Sequence, residues 1–445
     1  MLRVSTIIVS VIFFIILSIS RSTFAEPIMV SLWDLTEKSN VVFTGRVLEV
    51  GKDSAAIEVT EVLSGKLDSK TAVVTPVTIE YDFGMLVNFK NDEKVLIYAG
   101  KSDNGQIIVT ASGHGKIALE QNNEKTEIAA AKRIIAIASL KSENEKNLAM
   151  ITEAKSSNKR LQSEARTYIS IKISHSEQRK NYEKELINLI NDSNSVIQRI
   201  GLEGIRFVKA KEAFPRIVEL AHSEDINVVS QASQALAGYE SPESEKALIE
   251  LTKHKDPQIR IRACIDLSIS QLPESKEALE HLLYDENPKV RAMAPRGLVY
   301  WLRADKADDV LPRLEEMLND PSAEVRAAAA QHLGESRNSS VVKYLIEAIK
   351  KYPQDTNMKR WIFQALEQHS VRDKTGIRAL KDEDINLIID ALKNGEPTDS
   401  FGPSFYAVGI LSFLGTPEAK EALRWAAESH PNKNVKSYAA RCIAK

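Results

Sequence analysis

The residues best placed to do chemistry are three acid–base pairs set six apart, Asp256 with Arg262, Asp285 with Arg291 and Asp320 with Arg326. Recurring at that spacing, they suit a hydrogen-bond and charge ladder between successive structural units, or arginines that read a ligand. Asp305, Asp308, Asp309, Glu315 and Glu316 balance the local charge, so the field that phosphate binding needs is missing and nucleic acid is not an expected partner. The eight histidines form no His-Glu dipeptide, no HExxH and no zinc-finger spacing with the cysteines. His222, His254 and His430 fall where turns between helices are expected, and read as exposed turn residues. No G-x-S-x-G elbow is present, and Gly113-His114-Gly115 lacks the context of a phosphate loop. The sequence therefore assigns no catalytic, cofactor-binding or metal-ligating residue, and the expectation is a protein that is not an enzyme.

Pro295 should interrupt a helix just ahead of Arg296-Gly297-Leu298-Val299-Tyr300-Trp301-Leu302-Arg303, removing a backbone donor and re-aiming the aromatic residues. Arg296, Tyr300, Trp301 and Arg303 are the candidate partner-binding residues, since aromatic and arginine side chains are favoured interface anchors. Cys264 and Cys442 are expected as separate thiols. The repeat described below sets them on the order of 50 Å apart at about 10 Å per helix layer, and a disulfide needs Cα atoms within about 7 Å.

Composition narrows the remaining choices. The 445 residues are 43% hydrophobic and 27% charged, with 59 basic residues against 61 acidic ones. Neither a polybasic binder nor an acidic tail is indicated, and 18 glycines and 15 prolines argue against low-complexity character. Met1 to Ala25 read as a secretory leader: Arg3 supplies the charge, Ile7 to Ile19 the apolar run, and Thr23-Phe24-Ala25 the small residues of a cleavage site, giving Glu26 as the mature start. Without Arg3 and Arg21 the 59 basic residues become 57 against 61 acidic, a net charge near −4. An apolar run of that length spans about 20 Å of a roughly 30 Å hydrocarbon layer, so no stable membrane span is expected after cleavage. Export, to the periplasm or the medium, is the expected destination.

Residues 26–122 should form a small all-β module. Val41 to Val50 and Ala56 to Leu63 alternate with period two, and further strand-like runs follow at Thr71 to Val77, Lys94 to Ala99, Gln106 to Ala111 and Gly115 to Leu119. The segments Leu32-Trp33-Asp34-Leu35, Val41-Val42-Phe43-Thr44-Gly45-Arg46-Val47, Val59-Thr60-Glu61-Val62-Leu63-Ser64-Gly65 and Asn91-Asp92-Glu93-Lys94-Val95-Leu96-Ile97-Tyr98 resemble bacterial netrin-like domains, which are related to the tissue inhibitors of metalloproteinases. The resemblance implies an OB-type barrel. It also raises inhibition of a secreted metalloprotease as an alternative function, although inhibitors of that family chelate the metal with an amino-terminal cysteine, where this chain has Glu26 and no cysteine in the module.

Residues 123–445 carry a repeated unit: an amphipathic helix, a polar turn, and a second helix with apolar residues at i, i+4 and i+8. The triplets are Leu161, Ala165, Ile169; Ile197, Gly201, Ile205; Val228, Ala232, Leu236; Ile259, Ala263, Leu267; Val290, Ala294, Leu298; Val325, Ala329, Leu333; Met358, Ile362, Leu366; Tyr406, Ile410, Leu414; and Val435, Ala439, Ile443. Their first positions are mostly 29 to 36 residues apart, with one gap of 48 that implies inserted loops around His369 to Lys381 and Gly395 to Pro403. The pattern resembles HEAT-like repeats of the short type first associated with phycobilisome lyases. That resemblance implies a right-handed superhelical solenoid and, as a further alternative, a lyase or isomerase acting on a bound cofactor. The fold class is thus multi-domain, an OB-type barrel followed by an all-α HEAT-like solenoid. The expected function is an exported, non-enzymatic scaffold that binds another protein and needs no cofactor.

Overall fold

The computed structural model describes residues 31–51, 54–75, 89–102, 106–110, 115–268, 272–303, 310–336, 338–372, 374–395 and 401–444. The leader therefore lies outside the described residues. The strands end at Ala118 and the next helix starts at Glu124. By compactness the chain divides into Met1–Gly204 and Ile205–Lys445, so the first helical repeats belong with the barrel.

In the first unit, Ser31 caps a short helix, Leu32–Lys38, that leads into β1 (Val41–Val50), β2 (Ala55–Ser64), β3 (Thr71–Thr75), β4 (Lys94–Lys101), β5 (Ile107–Val109) and β6 (Lys116–Ala118). β1 pairs antiparallel with both β2 and β4, β2 with β3, and β4 with β5, while β3 and β5 run parallel through Val74 and Ile107. The pairings close into a ring of five strands in the order β1-β2-β3-β5-β4, and β6 lies along the free length of β4. This is an OB-type barrel, and closing it removes the open edges that would invite another chain. Alternate residues Val41, Phe43, Val47, Ile57, Val74, Val95, Ile97 and Ala99 fill the interior, as the period-two pattern requires.

The helices that follow in this unit hold the segment ahead of β1 by buried polar contacts. Glu164 accepts a 2.9 Å hydrogen bond from the Leu32 backbone N–H and a 3.0 Å ion pair from Arg160. Trp33 meets Tyr168 edge-on at 4.7 Å, and Tyr168 and Tyr182 bridge through Asn147. Burial pushes the Glu164 carboxyl above its usual range despite Arg160. Where the helix after Ser195 crosses its partner, a Cβ on Gly201 would stand 2.8 Å from the Ile190 backbone nitrogen, so only glycine allows that approach.

In the second unit the described helices pair in sequence order: Phe214–Leu220 with Ile226–Tyr239, Pro242–Leu251 with Pro257–Leu267, Pro273–Leu282 with Pro288–Gly297, Leu311–Met317 with Ala323–Leu333, Val341–Lys351 with Thr356–Arg372, Asp382–Asn394 with Pro403–Leu414, and Pro417–Ser429 with Lys433–Ile443. The second helix of each pair packs broadly on the second helix of the next, whereas the first helices touch their successors sparingly. The triplets explain the closer packing. Val228, Ala232, Leu236, Ile259, Ala263, Leu267, Val290, Ala294, Leu298, Val325, Ala329 and Leu333 are all 0 or 1% exposed, and their small middle residues let neighbouring helices approach.

The last repeats depart from that pattern. Tyr406 and Leu414 are only half-buried, because Ser404, Ala407, Val408 and Leu411 make the inward face of their helix, and Ile443 is 46% exposed. The expected loop at His369 to Lys381 is largely helical: Thr356–Arg372 runs past His369, and a short helix, Lys374–Arg378, follows. The longer spacing is therefore taken up in part by helix, with His369 and Ser370 still buried and Val371 69% exposed. Of the second expected loop, residues 396–400 lie outside the described residues.

Candidate functional site

In five of the seven described pairs the turn is built by one recurring device. A side chain five residues ahead of the first apolar position accepts the backbone N–H two residues on: Ser223 from Asp225, His254 from Asp256, Asp285 from Asn287, Asp320 from Ser322 and His430 from Asn432, at 2.9 to 3.2 Å. The residue that donates this N–H then caps the second helix, as Asp225, Asp256, Asn287 and Asn432 do through their own side chains. His254 and His430 stand where Asp285 and Asp320 stand in their repeats. His430 is 4% exposed and its Nε2 lies 3.1 Å from the Leu392 carbonyl oxygen, so it is a buried turn residue and not an exposed one.

Two of these turn aspartates also receive an arginine from the preceding repeat. Arg260 donates through two nitrogens to Asp285 at 2.7 Å each, and Arg291 to Asp320 at 2.9 and 3.0 Å. Arg326 continues the series to Asp355 at 2.6 and 3.0 Å. Each arginine also turns back to its own turn: Arg291 Nη1 donates to the Asp285 and Glu286 carbonyls, and Arg326 Nη1 to those of Asp320 and Pro321. The six-residue spacing of Asp285 to Arg291 and Asp320 to Arg326 therefore marks a bond to the aspartate's main chain, while its carboxylate serves the arginine one repeat earlier. Burial raises the Asp320 carboxyl, but hydrogen bonds from Arg291 and the Ser322 N–H outweigh it and hold the group below the usual carboxylate range. Hydrogen bonds to Asp285 and Asp320 likewise hold the Arg260 and Arg291 guanidinium groups charged.

The rung expected at Asp256 and Arg262 is corrected: the ladder arginine stands two residues earlier and its acid is Asp285. Asp256 caps the helix that follows it, and Arg262 pairs with Asp266, four residues on, which also accepts from Ser233. The arginine in the ladder is Arg260. Its signal was present, since it follows Ile259 directly as Arg291 follows Val290 and Arg326 follows Val325.

Beside the ladder the sparsely packed first helices leave two clefts. One, of about 710 Å³, is floored by Ile249, Ala278 and Leu282 and rimmed by Lys253, Glu274, Glu277, His281 and Glu286. The next, of about 480 Å³, is bounded by Tyr284, Arg313, Glu316 and Asn319. Both include Asp285 and Glu286, so they adjoin across successive repeats. Tyr284 is 64% exposed, and the Arg313 guanidinium lies 4.1 Å from its ring centre.

The proline-centred candidates are scattered rather than gathered. The helix Pro288–Gly297 contains Pro295 and gives way at Leu298 to a separate turn, Val299–Arg303. Trp301 is 5% exposed with Tyr300 edge-on at 5.4 Å, so the break turns the indole inward, and it packs instead of presenting an anchor. Arg296 and Tyr300 are half-buried, and the side chain of Arg303 lies outside the described residues. Cys264 and Cys442 are both free; burial pushes the Cys264 thiol up to about 12. Among the described residues no three His, Cys, Asp or Glu side chains are grouped to hold a metal ion, and no helix is long and apolar enough to cross a membrane.

Residues 230–299, 277–367 and 310–396 match the family model for HEAT repeats. Among solved structures, yeast importin-β (Kap95p) is similar with a TM-score of 0.51 and 14% identity over 72% of this chain and 48% of that one, so this chain spans about half its length. Kap95p in its work with RanGDP aligns with a TM-score of 0.46 and 13% identity over 73% of this chain and 49% of that one. An engineered protein aligns with a TM-score of 0.42 and 18% identity, over 73% of this chain and 96% of that one. No curated protein matches the sequence. The family match over residues 230–396 and the importin-β likeness agree with the ordered pairing of helices in a HEAT-like helical solenoid.

Proposed function

We propose that the protein is an exported, non-catalytic scaffold whose HEAT solenoid docks another protein. The adjoining clefts that share Asp285 and Glu286 carry the reading, because they make one open surface, charged at its rim over a partly apolar floor, running from repeat to repeat. A solenoid offers such extended surfaces to macromolecular partners, whereas a small molecule is usually held by an enclosed, mainly apolar pocket. Near-balanced charge speaks for a protein partner over nucleic acid. The closed five-stranded ring supports an OB-type barrel of netrin-like kinship, and the charged, apolar and small-residue order of Met1 to Ala25 supports export.

A photo-crosslinking residue placed in the full chain at Glu277 or Glu316, whose side chains are 76% and 66% exposed, tests the docking surface in the native host. One and the same protein captured from both positions is the expected result; unrelated products from the two positions, or none, overturn it. Amino-terminal sequencing of the processed protein should begin at Glu26, and an intact Met1 would overturn export through a cleaved leader.

A further inference from the structure

Beyond the ladder, three second helices converge on one point. Thr356–Arg372 carries Glu367 and, one turn on, Val371; Pro403–Leu414 carries Phe405 and, one turn on, Gly409; Lys433–Ile443 carries Tyr438. A Cβ on Gly409 would stand 2.9 Å from Glu367 Cγ, 3.1 Å from its Oε1 and 3.1 Å from the Tyr438 hydroxyl, so the acid and the phenol meet across a helix surface left bare by glycine. The rings of Phe405 and Tyr438 lie 4.9 Å apart at 33°, and Phe401 meets Phe405 edge-on at 5.3 Å. Val371 and Phe401 are 69% and 56% exposed.

Glu367 differs from the ladder carboxylates in one respect: among the described residues no cation is paired with it. Arg441, 5.7 Å from the Tyr438 ring, makes no ion pair with it. Burial alone raises the Glu367 carboxyl, and burial followed by the charge of Glu367 raises the Tyr438 phenol. A half-buried carboxylate without a counter-ion is costly, and beside aromatic faces it is the complement of a guanidinium or ammonium, which can ion-pair with the acid while lying over the rings.

We propose that Glu367, Phe405 and Tyr438 form a socket for one basic side chain of the partner protein, arginine by preference, with Val371 and Phe401 gripping apolar residues beside it. The proposal rests on the scaffold reading and names the chemistry of the partner. Arginine is preferred over lysine because its planar fork can meet a carboxylate through two bonds and stack on a ring at once.

The test uses the full chain and two labelled synthetic peptides, identical except that a central arginine between leucines is replaced in one by citrulline, its uncharged isostere. Fluorescence anisotropy should show the arginine peptide binding about tenfold tighter than its twin. Glu367→Gln should erase that difference, leave citrulline-peptide affinity unchanged and melt no lower than the parent chain, which separates lost recognition from lost folding. Phe405→Ala should weaken both peptides. Equal affinities in the parent chain, a preference that survives Glu367→Gln, or binding of neither peptide overturns the socket. Failure of the crosslinks at Glu277 and Glu316 would remove the scaffold reading while leaving the charge preference to be measured on its own.

Discussion

From His254 to Asp355 each repeat passes a guanidinium to the next repeat's carboxylate, whereas beyond it the second helices go on stacking around Glu367, a carboxylate that no cation among the described residues meets. The regular stretch satisfies its charges internally and turns Trp301 inward. In the irregular stretch Glu367 has no counter-ion among the described residues, and Phe401, Val371 and Ile443 lie partly in solvent. Where a repeat pairs its ladder charges internally those groups serve the stack; where the pattern lapses, groups are left over on which the proposed socket is built.

The largest expected effect lies in the regular stretch. Arg291→Met should destabilise the chain by about 3–5 kcal/mol, since it leaves the buried Asp320 carboxylate uncompensated, and pairing it with Asp320→Leu should restore much of the loss. Urea denaturation of the parent, single and double variants measures both, and a single-variant loss below about 1 kcal/mol would show the rung to be dispensable.

One apolar position separates the two stretches more finely. Leu298 and Ile443 both end a triplet, but Leu298 is 0% exposed and Ile443 46%. Leu298→Ala should cost about 2–5 kcal/mol by leaving a cavity, while Ile443→Ala should cost less than about 1 kcal/mol. Similar losses would mean that the last repeat is as closely packed as the central ones.

The two stretches should also respond to pH with opposite sign. Asp320 is held below its usual range, so its contribution is complete above the ordinary aspartate pKa, about 3.9, and is lost as pH falls through its lowered value. Glu367 is held above its usual range, so stability present below the ordinary glutamate pKa, about 4.3, is lost as pH rises through the raised value. Denaturation midpoints followed from acid to neutral pH should therefore keep more stability at neutral pH in Glu367→Gln, and lose less toward acid in Asp320→Asn. Parallel profiles in parent and variants would contradict this.

The smallest effect is chemical. Iodoacetamide near neutral pH should modify the half-buried Cys442 in the folded chain and spare Cys264, whose thiol burial holds near 12; both should react after denaturation without reductant. Mass spectrometry counts the added groups, and a folded chain that takes up label on Cys264 would show its repeat opening readily.

Much of the solenoid could be read from one-dimensional spacing, because i, i+4 and i+8 fall on one helix face and the buried triplets follow from that alone. The rungs were legible only in part. Six residues separate an arginine from the carbonyl it touches, but its carboxylate partner lies 29 residues away for Arg291 and Arg326, beyond any local pattern. Asp355 escaped notice because it stands three residues, not five, ahead of Met358, whose backbone N–H it caps. His430 read as exposed because nothing near it in sequence announces the Leu392 carbonyl that buries it. Trp301 misled for a related reason: proline foretells a break, but which way the next turn points is decided by packing. In the barrel, alternation gave the strands, while the parallel contact of β3 with β5 joins segments whose neighbourhood no local pattern records.

The ladder also bears on how such a chain changes length over generations. Excising the stretch from just after Arg291 to just after Arg326 would remove Asp320 together with Arg326 and bring Arg291 to face Asp355, a partner at the same offset as the one it lost. Duplicating that stretch would add one acid and one base already matched. Copies can be gained or dropped there without stranding a charge, so the array can be lengthened or shortened by recombination while the cohesion between neighbours stays as it was.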